Sequence, residues 1–174
     1  MTLIKFKDFP DFTPNMTPAE MFEIGIMGGS YFRRIQSPVT QKVFKNRHLR
    51  YPFLKKIDKK KYMLETYDKS INKYNVEVGT SYEYWMSKGW IREDIDPYGW
   101  IEWYCNFWMG RRTDDDKRQI NRWKRLAGAN GRFRKQLQKK INSIGVNDEK
   151  IFIRMRQTLL HWGFDSSKMR PEMI

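Results

Sequence analysis

Trp100, Trp103, Tyr104, Phe107 and Trp108 recur at alternating gaps of three, one, three and one residues. That spacing returns each ring to one face of an α-helix, so an apolar core helix is predicted from Pro97 or Tyr98 to Gly110. Glu102 and Asn106 lie together off the aromatic stripe. Beyond Gly110 the pattern changes. Thr113-Asp114-Asp115-Asp116 has the anionic, capping composition of a helix N-terminus. Ile120, Trp123 and Ala127 then fall on one face, with Leu126 at its edge. Gly128-Ala129-Asn130-Gly131 reads as a turn, and a second helix follows from Arg132, with Phe133, Leu137, Ile141 and Ile144 inward and Gly145 as its stop.

The N-terminal half is less periodic. Residues 2–7 suggest an edge strand or an extended arm. The proline-marked run 8–16 is irregular, with Phe9 and Phe12 expected to pin it to the core. Thr17-Pro18-Ala19-Glu20 is a capping box with proline at the first helical position. Ser37-Pro38 predicts another helix to about Asn46, and Thr80 with Glu83 predicts a cap for a short helix over 82–88. Asn147-Asp148-Glu149 predicts the start of a last helix reaching Trp162. The sum is a mainly α, single compact domain of about six short helices with extended Pro/Gly-rich connections, spanning residues 1–164. Residues 165–174 read as a loose C-terminal tail. The pair at 114–144 has a helix-turn-helix-like outline, which an ordinary αα-hairpin shares.

Charge sharpens this picture. The chain carries a formal +14, and the excess sits in two blocks, net +8 over 42–61 and net +9 over 111–142. Clustered cations attract phosphate polymers. The residues expected to contact nucleic acid are Lys55, Lys56, Lys59 and Lys60 in the first block. In the second they are Arg111, Arg112, Arg118, Arg122, Arg125, Arg132, Arg134, Lys135, Gln138 and Lys139. Arg118, Arg122 and Arg125 form a stripe on the first helix of the pair. Gln138 and Lys139 on the second suit base edges. Tyr51, Phe53 and Tyr62 flank the lysine cluster, as stacking rings do in single-strand binders.

Catalytic chemistry is harder to find. Gly28-Gly29-Ser30, followed by Arg33 and Arg34, could bring backbone N–H groups to a phosphate, but it lacks the phosphate-loop spacing and fits a tight turn. Asp114, Asp115 and Asp116 could hold Mg²⁺ with Glu102, yet successive helical side chains diverge by about 100°. One Cys and two His supply no zinc set, and nothing beside Cys105 marks it as a nucleophile. No cofactor or metal is therefore expected. The single cysteine and the absence of a signal-like or membrane-spanning run lead to the expectation of an intracellular protein, cytoplasmic, or nuclear in a eukaryotic host. Non-enzymatic binding of nucleic acid, DNA ahead of RNA, is the first expectation. A nucleic-acid or nucleotide-processing enzyme is the second. An effector docking on an acidic protein partner is the third.

Several stretches also carry a resemblance. They are the run from Phe9 to Phe22, Gly28-Gly-Ser-Tyr-Phe-Arg33, Asp96-Pro-Tyr-Gly-Trp-Ile-Glu-Trp-Tyr-Cys105, Asp115-Asp-Lys-Arg-Gln-Ile-Asn-Arg-Trp123 and Ile153-Arg-Met-Arg-Gln-Thr-Leu-Leu-His-Trp-Gly163. Together they resemble a family of small basic, Trp-rich proteins of bacteriophages, large DNA viruses, algae and plants. The resemblance covers nearly the whole chain. It implies an intracellular, viral or phage-like protein and supplies no activity and no catalytic residues.

Overall fold

Phe12 is the pin of the core. In the computed structural model, which describes residues 1–173, its ring packs against Trp100, Trp103, Tyr104, Phe107 and Trp123 at centroid distances of 5.1–6.2 Å. Four of those five partners lie on the predicted aromatic helix, here α3 (Trp100–Trp108). The arm that carries Phe12 folds back on itself through turns at residues 6–12 and is tied at both ends. Ile4 N–H donates to the Pro14 carbonyl, and Asn15 exchanges two hydrogen bonds with Asp165, 150 residues away, at 2.7 and 3.1 Å.

The chain forms six α-helices and little strand among the described residues, in one compact domain. Helix α1 (Pro18–Ile24) has the capping box its sequence predicts, Thr17 Oγ accepting from Glu20 N–H and Glu20 accepting from Thr17 N–H. Helix α2 (Tyr82–Ser87) is capped by Ser81 rather than Thr80. The expected helix after Ser37 does not form. Instead Ser37 Oγ accepts from Val39 and Thr40 N–H, the chain reverses through Gln41 at φ 64°, and β1 (Ile35–Gln36) pairs antiparallel with β2 (Val43–Phe44). The hydroxyl that could cap a helix closes a turn here, as serine does when its neighbours face water.

Helices α4 (Asp116–Leu126) and α5 (Arg132–Ile144) match their predicted spans, packing on each other and, through α4, on α3. Gly131 sits so close to Leu126 and Ala127 backbone atoms that any side chain would collide, which explains why a glycine closes this turn. The last helix, α6 (Ile153–His161), starts later than Asn147-Asp148-Glu149 predicts. Residues 147–152 form a turn around the buried Arg156, which donates to Asn147 Oδ1 and to the carbonyls of Asp148 and Ile151. Asp165, Ser166 and Met169 are buried, so the first part of the 165–174 segment is packed.

Candidate nucleic-acid interface

The cationic residues divide into two populations. The first is held by the protein's own acids. Asp96, fully buried, receives both terminal nitrogens of Arg111 and the amide of Asn106. Asn106 Oδ1 in turn accepts from Tyr51 Oη, and Arg47 Nε donates to Glu102 Oε2 at 2.6 Å. Arg112 pairs with Asp8, which it holds below the usual carboxylate range, and its guanidinium lies 3.6 Å from the Phe107 ring centroid. Arg118 grips Asp115 through two nitrogens at 2.6 and 2.9 Å. Three residues expected at the interface, Arg111, Arg112 and Arg118, are thus ion-paired within the molecule.

The aspartates follow the same logic. Asp116 accepts from Trp103 Nε1 and Thr113 N–H, Asp115 serves Arg118, and Asp114 meets Arg92. Each faces its own partner, although only Asp116 lies within α4, Asp115 being its N-cap residue and Asp114 part of the preceding turn. The glycine turn is equally occupied. Gly28 N–H donates to Asn72 Oδ1, Gly29 N–H to Ile26, and Ser30 N–H to Met27. No phosphate can enter there, since Tyr67 and the Lys60 carbonyl already occupy the space beside the two glycines.

The second population has no carboxylate partner among the described residues. Lys55, Lys56, Lys59 and Lys60 are exposed on two short 3₁₀ turns, Pro52–Lys56 and Lys59–Lys61. Tyr51 and Tyr62 beneath them are buried, so they anchor the segment instead of presenting stacking faces; Phe53 remains half-buried against Tyr51. On α5, Arg132, Lys135 and Lys139 are exposed. Arg125 on α4 is exposed and donates only to the Asn121 carbonyl. The other α5 candidates are engaged. Gln138 donates to Asn142 and to the Arg170 carbonyl, and the Arg134 guanidinium lies 4.5 Å from the Phe164 ring centroid. A base-reading role for Gln138 would require breaking those hydrogen bonds. Among the described residues no ion pair or hydrogen bond links 42–61 to 111–142.

Arg122 likewise has no carboxylate partner among the described residues but, unlike the exposed cations, is half-buried. Its guanidinium lies 5.6 Å from the Trp90 ring centroid and 5.3 Å from that of Trp162, and one terminal nitrogen donates to the Trp90 carbonyl and to Gln119 Oε1. Burial, and then neighbouring Arg118, push its pKa down to about 10. It forms part of the wall of a cavity of about 450 Å³ between α2, the start of α3, α4, α5 and the end of α6. Indoles from Trp85, Trp90, Trp100 and Trp162 line it, with Phe133 and Arg132 on the α5 side. Comparison with protein-family models, curated proteins and solved structures found no match.

His161 also borders this cavity. Its Nε2 accepts the Met27 N–H at 3.1 Å, which requires a neutral ring, and burial pushes its pKa down to about 3. The cavity went unseen in the sequence because its walls come from six separate segments. Trp90 and Trp162 do carry a signal, since neither lies on the α3 stripe and each falls beside a helix-ending glycine, Gly89 or Gly163.

Glu102 is the most perturbed acid. Burial raises its pKa to about 7 despite Arg47 beside it, and its Oε1 is buried with no hydrogen-bond partner. Its side chain has 0% exposure and does not line the indole cavity.

Proposed function

We propose that the protein binds nucleic acid through its phosphates, with DNA ahead of RNA, and that it works as a binding module. The supporting observation is the division of charge. Carboxylates neutralise Arg111, Arg112 and Arg118, while Lys55, Lys56, Lys59, Lys60, Arg132, Lys135 and Lys139 face solvent without an acidic partner. Free cations are the ones that release counterions when they meet phosphates. The enzyme reading has less support, because the glycine turn is filled and each aspartate faces its own partner.

Fluorescence anisotropy on labelled oligonucleotides across a salt series tests this. Changing Lys55, Lys56, Lys59 and Lys60 together to Ala should weaken binding and flatten the salt slope by about 3, at roughly 0.7–0.9 for each phosphate no longer neutralised. Arginine at the same four positions should restore both. An affinity and slope unchanged in the alanine variant would overturn the proposal for this segment.

A further inference from the structure

The tryptophan-lined cavity has the chemistry of a site for one nucleotide. Its volume, about 450 Å³, lies in the ~300–1,000 Å³ range of small-molecule sites. The walls offer broad π faces, which accept any nucleobase. Trp85 and Phe133 are half-buried, and Trp90 is 37% exposed, so faces on several sides of the mouth are open to an incoming ring. The charged groups in the wall, Arg122 and Arg132, are both cationic and lack carboxylate partners among the described residues; the polar side chains of Thr80, Thr158 and the neutral His161 stand beside them. Arg122 is held between two indoles, and Arg132 stands at the mouth on the first residue of α5. No side chain caps the N-terminus of that 13-residue helix, whose first two residues, Arg132 and Phe133, line the cavity, so the positive end of the helix lies beside it.

An aromatic cage with acidic residues would select a methylated ammonium ion. This cage carries guanidinium groups instead and therefore repels cations. Its complement is a flat aromatic group joined to an anion. We propose that this cavity binds a nucleoside monophosphate unit, the base against the indoles and the phosphate on Arg122 and Arg132. The identification as a nucleotide, among planar anions, rests on the nucleic-acid reading given above. The unit comes either from a free nucleotide or from an unstacked position in a single strand.

The test uses the full chain with adenosine monophosphate, adenosine, inorganic phosphate, a trimethyllysine peptide, a single-stranded oligonucleotide and its duplex. Binding is followed by calorimetry and by the indole N–H resonances. Adenosine monophosphate should bind more tightly than adenosine or phosphate and shift the Trp85, Trp90 and Trp162 signals. Trp90→Ala keeps the carbonyl that receives Arg118 and Arg122 and removes an exposed ring, so it should fold and weaken nucleotide binding about ten-fold or more. Preference for single strand over duplex, abolished in Trp90→Ala, would identify the strand as the source; binding of the free nucleotide alone would identify the free form and overturn the phosphate-grip function. Cavity indoles unmoved by the nucleotide, unchanged affinity in Trp90→Ala, or preference for the trimethyllysine peptide would each overturn the cavity assignment. Lysine-dependent oligonucleotide binding in that same sample would leave the phosphate grip standing.

Discussion

Arg47 and Arg122 flank the same aromatic core and are treated in opposite ways. Arg47 meets Glu102 on α3 in a pair closed from water, and Arg111 and Asp96 extend that region. Arg122 meets indoles and a carbonyl, and no acid. A buried carboxylate beside a guanidinium completes a structural pair and leaves little attraction for outside anions. A guanidinium among aromatic rings keeps its charge available. Position in the sequence does not separate the two cases, since Arg118 and Arg122 are one helical turn apart and only Arg118 has a carboxylate.

The comparison breaks most sharply by mutation. Arg47→Ala leaves Glu102 buried without a counter-charge and should cost about 3 kcal/mol in urea denaturation at about pH 8. The cost should shrink at about pH 5, where Glu102 is protonated. Arg122→Gln removes cation–π attraction, some packing and the hydrogen bonds to the Trp90 carbonyl and Gln119, and should cost about 1–2 kcal/mol, less than Arg47→Ala, since no buried charge is left unpaired. Equal costs would erase the distinction between the two regions.

A pH series sharpens it. Glu102 has a folded pKa raised to about 7, so the native state holds a proton that the unfolded chain has released. Its contribution is full below the ordinary carboxylate value and declines as pH rises through about 7, by up to about 3 kcal/mol. His161, at the cavity, runs the other way. Its folded pKa is about 3 against 6.5 unfolded, so stability falls as pH drops through that window. Between about pH 4.5 and 6.5 the two slopes oppose each other, so Glu102→Gln should make stability rise with pH across that window and His161→Gln should make it fall. The smallest effect is expected at the exposed Lys124–Asp11 pair, where Asp11→Asn should change stability by under about 0.5 kcal/mol.

The helical elements were legible where apolar spacing was dense. The α3 stripe, the α4–α5 pair and the α1 cap follow from local periodicity and capping chemistry, which need no distant partner. The segments at Ser37 and Asn147 misled for a shared reason. Serine and asparagine cap helices and close turns with the same atoms, and what decides is whether apolar residues downstream have a core to meet. Val39 is 70% exposed, and Asn147 is taken by Arg156 and by carbonyls of residues 166–169. For the candidate interface, the sequence located the charge but not its neutralisation. Asp8 reaches Arg112 and Asp96 reaches Arg111 only through tertiary folding. The indole cavity has the same origin.

The Asn15–Asp165 clasp and the edge-to-face contact of Phe12 with Trp123 bear on how the chain reaches this state. Both ends must meet before the interior is sealed, so closure is a late event that joins segments far apart in sequence. During synthesis the N-terminal arm can meet α3 first, and its docking is complete only when Trp123 of α4 and Asp165 beyond α6 have left the ribosome. Refolding is therefore expected to be slow for a helical protein of this length, and the arm to be the last part to gain protection from proteases.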